Sequence, residues 1–136
     1  MDGPVRQLIY RSHSQLAGGP REIGLALGRI LEQSRNRNAA AGLTGALMLQ
    51  DTWFVQLLEG EDAAVAEVFV RIGADARHGA VHVTTDFKAA TRIFADWSMA
   101  YAGQAGLPDI PLTFSATSEM TLAQMRALAH LRALAR

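Results

Sequence analysis

Residues 43–59 read LTGALMLQDTWFVQLLE, two apolar runs separated by Asp51-Thr52. Each run is strand-length and rich in bulky apolar residues, and the break between them is a short polar pair, so the stretch predicts a hairpin with strands at 43–50 and 53–59. In the second run Phe54, Gln56 and Leu58 point one way and Trp53, Val55 and Leu57 the other. Both faces are largely apolar, which places this hairpin in the middle of a sheet covered on both sides.

Working outward, residues 5–11 (VRQLIYR) read as an opening strand. A loop at 12–20 ends in Gly18-Gly19-Pro20, with Pro20 suited to a first helical position. Residues 21–38 carry Ile23, Ala26, Leu27, Ile30, Leu31 and Ser34 at helical spacing. Beyond the hairpin, 61–76 reads as a second helix with Val65, Val68, Phe69 and Ile72 on one face, and strands follow at 81–87 and 97–101. A Gly/Pro-containing loop leads to a last helix at 121–135. The order β-α-β-β-α-β-β predicts a ferredoxin-like α+β sheet with two helices on one face. The last helix, through Leu122, Met125, Leu128 and Leu131, is expected to cover the other face. The corresponding division is a domain at 1–103 and a linker with capping or output helix at 104–136.

The 136 residues suit one domain, and 49% hydrophobic against 19% charged residues excludes a disordered chain. Lys+Arg and Asp+Glu both number 13, so bulk charge favours neither nucleic acid nor an anionic membrane as partner. No cysteine is present, which excludes disulfides and thiol chemistry. With no signal-peptide pattern and no apolar run of about 20 residues, the expectation is a cytoplasmic protein without metal, in which no output domain follows the first.

Several polar residues interrupt faces that should be apolar. Tyr10 shares a face with Leu8, and Gln56 lies between Phe54 and Leu58. Asn38 follows Ser34 by one helical turn, and Trp97, Met99 and Tyr101 share a face of the last predicted strand. Arg71, Asp75 and His78, at i, i+4 and i+7, predict one polar helix edge. Each has an ordinary structural explanation: a hydrogen-bonded core tyrosine or amide, a helix cap, core packing, a solvated ion pair.

Together they carry a resemblance. The segments LIYRS (8–12), SRNRN-x3-GLTG (34–45), FVQLLEG (54–60), RI-x2-D-x-RH (71–78) and R-x-F-x2-WSM (92–99) resemble the BLUF domains, sensors of blue light using FAD. The resemblance spans residues 5–101. It implies a short, stand-alone blue-light receptor, not an enzyme, with a noncovalent flavin (FAD, or else FMN or riboflavin) between the two helices. Tyr10 matches the family's redox-active tyrosine, and Gln56 the glutamine that bridges it to the flavin. Asn38 and Ser34 match pocket positions. Arg71, Asp75, Arg77 and His78 match positions of ribityl, phosphate and adenine contacts. Met99 and Trp97 match residues that relay the glutamine's state. Arg37 departs from the family, which often has Asn or His there; it cannot accept a hydrogen bond and suits a phosphate or an exposed flavin edge.

The absence of cysteine excludes a cysteinyl–flavin adduct and leaves a hydrogen-bond switch. The resemblance further implies signalling through a protein partner, and the apolar surface that the second sheet face and a weakly amphipathic last helix leave to cover predicts a homodimer or higher homo-oligomer. Two alternatives use the same fold: a nonphotoactive dimerisation module, which the Tyr10–Gln56 pair argues against, and an acylphosphatase-like hydrolase, which lacks a phosphate-cradling loop beside the first strand.

Overall fold

The computed structural model describes residues 4–50, 52–95, 98–103 and 122–134. The elements run β1 (Val5–Ser14), α1 (Pro20–Ala41), β2 (Thr44–Gln50), β3 (Trp53–Gly60), α2 (Asp62–Gly73), β4 (His78–Ala89), β5 (Ala100–Gly103) and α3 (Leu122–Leu134). They build one five-stranded sheet in the order β4-β1-β3-β2-β5. Its first four strands are antiparallel in ferredoxin-like order, and β5 joins β2 in parallel. The expected α+β architecture is the one found.

The period-two pattern of β3 decides the layering. Tyr10, Leu47, Phe54 and Leu58 look toward α1 and α2 and pack with Leu27, Leu31, Val65, Val68 and Ile72. Ile9, Met48, Val55 and Leu57 look the other way and pack with Phe94, Leu128 and Leu131. The last helix thus caps the second face, as expected, but with a different stripe. Leu122 and Met125 are exposed, while Gln124 is buried. The Gln124 amide donates to the Ile93 carbonyl at 3.0 Å, which satisfies a polar side chain on the buried face.

Two glycines fix the approach to the hairpin. Gly42 caps α1 in the left-handed region (φ 72°), letting the Leu43 N–H bond the Asn38 carbonyl at 2.8 Å. Gly45 faces β3 so closely that a Cβ there would overlap the Leu57 carbonyl oxygen.

Three boundaries differ from the sequence expectation. Helix α2 stops at Gly73, so Asp75 lies in the following turn and His78 opens β4. Strand β4 is longer than expected because it follows β1 over its whole length, with register shifts between Ile9 and Tyr10 and between Arg11 and His13. The last strand begins at Ala100, so Met99 precedes it. Trp97, Asp51 of the predicted turn and most of the loop before α3 lie outside the described residues. No described helix is long and apolar enough to cross a membrane.

Candidate functional site

A cleft of about 410 Å³, its open mouth included, lies on the first sheet face between α1 and the turn that follows α2. Its floor is Tyr10, Leu47, Phe54 and Gln56 from three adjacent strands. Ile30, Ser34 and Arg37 of α1 wall one side, and Ile72, Asp75, Arg77 and His78 the other. Their common location follows from topology: β1, β3 and β2 are neighbours, and both crossovers lie over that face.

At the floor, Tyr10 and Gln56 are directly opposed on β1 and β3. The phenol O–H donates to Gln56 Oε1, and Gln56 Nε2 donates to Met99 Sδ at 3.7 Å. All three are buried. Sulfur is a weak acceptor, and it takes only one of the two amide hydrogens. Among the described residues the other has no partner, although Gln56 is 2% exposed. The Ser34 hydroxyl, also buried and lining the cleft, likewise has no partner among the described residues. A buried donor left unpaired costs about 1–3 kcal/mol, so an acceptor bound beside either group would be stabilising.

Burial pushes the Tyr10 phenol well above its ordinary pKa; the Arg37 charge pulls it down and Asp75 pushes it up. Tyr10 is therefore a neutral proton donor in the resting site. Asn38, fully buried inside α1, donates to the Ser98 carbonyl at 2.8 Å and holds the chain just before Met99. It is an interior helical residue with its amide turned toward the β4–β5 connection, not a helix cap.

The cationic residues divide into committed and available. Arg77 gives Nε and Nη2 to Asp75 (2.6–3.0 Å) and Nη1 to Gln33 on α1 at 2.9 Å. The Arg77 hydrogen bond holds the Asp75 carboxyl below the usual range, against the opposing effect of burial. Arg71 does not join Asp75 on one helix edge, because the helix has ended; it pairs with Glu67 at 3.1 Å on the exposed side. It borders a second groove between α1 and α2 that Arg37 also lines. Among the described residues Arg37 makes only a 3.4 Å contact from Nε to Asn38 Oδ1. Burial lowers its pKa, and the nearby Arg71 and Arg77 charges add to that.

His78 is held from both sides. Nε2 lies 2.6 Å from the Ile72 carbonyl and Nδ1 2.6 Å from Ser12 Oγ. A carbonyl only accepts, so Nε2 carries a hydrogen, and in the neutral ring Nδ1 accepts from Ser12. What His78 offers the cleft is therefore its ring, tilted against Tyr10 and edge-on to Phe54.

The order of these residues along the chain is that of a known family: a sequence profile described as "Sensors of blue-light using FAD" matches residues 5–100. The chain belongs to the BLUF family. Among curated relatives, the photoactivated adenylate cyclase subunit beta of Euglena gracilis is 31% identical over 96 residues, 70% of this chain. The chain spans only 11% of that relative's length. Among solved structures, the dark state of the BLUF protein BlrB superposes with a TM-score of 0.72 at 28% identity, covering 100% of both chains. BlrP1 of Klebsiella pneumoniae, with FMN and cyclic diGMP, gives 0.68 at 25% identity over 94% of this chain and 34% of that one. BLUF domains are flavin-binding blue-light sensors and not themselves enzymes, and this chain has the fold and family of such a sensor.

Sequence reasoning missed two buried residues of the second face, Gln7 and Glu59, which bond each other at 2.9 Å. The signal was present. Residue 59 continues the Trp53–Val55–Leu57 alternation and so points into a covered face.

Proposed function

We propose that this chain is a blue-light receptor that binds FAD noncovalently in the cleft above Tyr10 and Gln56, with FMN or riboflavin as the alternative flavins. The observation that carries the reading is the buried Tyr10–Gln56–Met99 chain, in which one Gln56 amide hydrogen has no partner among the described residues. A flat heteroaromatic ligand with acceptors on its edge fits that donor, the Ser34 hydroxyl and the apolar walls of Ile30 and Ile72. When bound, a flavin supplies blue-light absorption and a one-electron acceptor.

The protein supplies the rest. Tyr10 releases its phenolic proton along the existing hydrogen bond to Gln56 Oε1. Gln56 can rotate or change tautomer, exchanging its donor and acceptor ends. Met99 and Asn38, which touch Gln56 and the Ser98 carbonyl, register the exchange, and Trp97 belongs to the same segment. Arg37 offers its guanidinium to a phosphate or flavin edge, with Arg71 beyond it; Asp75, Arg77 and His78 shape the far wall. Output passes to a protein partner, and the exposed Phe87, Leu122 and Met125 suit a homo-oligomer.

The test is spectroscopic. The purified chain should be yellow or take up added flavin, and blue light should shift its flavin band reversibly to the red. Tyr10→Phe should keep the colour and lose the shift. A protein that takes up no flavin, or a Tyr10→Phe variant with a normal shift, refutes the assignment. The bound flavin is named by releasing it with heat and separating FAD, FMN and riboflavin by chromatography.

A further inference from the structure

On the second face of the sheet, away from the cleft, four donors converge on one carboxylate. Glu59 is fully buried. Its Oε1 accepts from Thr44 Oγ1 at 3.0 Å and the Phe94 N–H at 2.8 Å. Its Oε2 accepts from Gln7 Nε2 at 2.9 Å and the Ile93 N–H at 2.6 Å. Arg92 stands beside this cluster, donating to Thr44 Oγ1 and to the Glu59 and Gly42 carbonyls. Burying a carboxylate among neutral donors is costly, and an apolar sheet face needs no such group for packing. Its value lies in what it holds.

What it holds is a corner of chain between β4 and β5. Four to six residues after Ile93 and Phe94 come Ser98 and Met99, which contact Asn38 and Gln56. The Ile93 carbonyl accepts from Gln124 of α3 at 3.0 Å. One corner is thus pinned to the sheet by Glu59, tied through the chain to the cleft, and tied by a hydrogen bond to the capping helix.

We infer that Glu59 is a positioning residue that couples the Gln56–Met99 contact on one face of the sheet to α3 on the other, with the Ile93–Phe94 corner as the element that moves. The inference rests on the reading of Tyr10 and Gln56 as the photoactive pair. The carboxylate is essential to it because each oxygen serves two donors. In Glu59→Gln one oxygen becomes an NH₂ group, and in either orientation a backbone N–H of the corner faces a donor and loses its acceptor.

The experiment is hydrogen exchange of α3 in the flavin-loaded full chain, in the dark and under continuous blue light, with absorption recorded in parallel. The unmodified protein should show the red shift and a light-dependent change in protection over Leu122–Leu134. Glu59→Gln should keep the red shift, lose most of the change in α3, and alter dark recovery by about threefold or more. Gln124→Leu, which lies across the sheet from the cleft, should keep the red shift and lose the change in α3. A change of unmodified size in either variant overturns the inference, as does a red shift in the unmodified protein without any change in α3. If Glu59→Gln fails to load flavin, Gln124→Leu decides alone. An unmodified protein with no red shift refutes the photoreceptor reading and the coupling with it.

Discussion

Tyr10 and Gln56 are bonded to each other and are also register partners across the β1–β3 ladder. Opposed residues of an antiparallel pair share a face with Cβ atoms about 5 Å apart, so the backbone alone brings phenol and amide together. A slip of one residue would send one of them through the sheet. The flanking pairs Leu8–Leu58 and Ser12–Phe54 hold that register by burying their side chains in the same layer. The pair is therefore as well fixed as the core.

Removing the acceptor should cost more than the bond. Gln56→Leu fills a similar volume but leaves the buried Tyr10 hydroxyl unpaired, at about 1–3 kcal/mol. A thermal scan of the flavin-free variant should show a lower Tm, and the flavin-loaded variant should have no light-induced red shift.

The buried phenol sets an alkaline limit to stability. The folded state holds the Tyr10 proton more tightly than the unfolded state does. Below about pH 10, where both states keep the proton, Tyr10 contributes fully; above it only the unfolded state releases the proton, and stability falls by up to about 1.4 kcal/mol per pH unit. Tyr10→Phe removes this term. Denaturant midpoints measured from pH 8 to pH 11 should converge on, or cross, those of the variant as pH rises; parallel curves would contradict the prediction.

Ala80 sits where β4 carries an extra residue opposite Arg11–His13, and it is held at φ 52°. That conformation costs an L-residue about 1–2 kcal/mol, and glycine escapes the cost while losing more chain entropy on folding. Ala80→Gly should therefore stabilise the protein by about 0.5 kcal/mol, read as a small rise in the urea midpoint with an unchanged slope.

The hairpin, both crossover helices and the two-faced sheet were legible because burial imposes periods of two and 3.6 on the sequence. So was the candidate floor of the cleft, since Tyr10 and Gln56 interrupt apolar faces. The end of α2 was not. Arg71, Asp75 and His78 keep helical spacing past Gly73, yet Asp75 is taken by Arg77, and β1 draws His78 into β4 through Ser14. The stripe of α3 was misread for a related reason. Hydropathy favours Leu122 and Met125, but a bond to the Ile93 carbonyl turns Gln124 inward. Such long-range polar partners leave no periodic trace in a sequence.

Among the described residues the sheet separates two buried apolar clusters that share no residue, one under α1 and α2 and one under α3. Thermodynamically these are separate ledgers. Ile72→Val trims the first and Ile9→Val the second, at about 0.5–1.5 kcal/mol each. Because a layer of backbone stands between the two sites, the double variant should lose the sum of the two within about 0.5 kcal/mol.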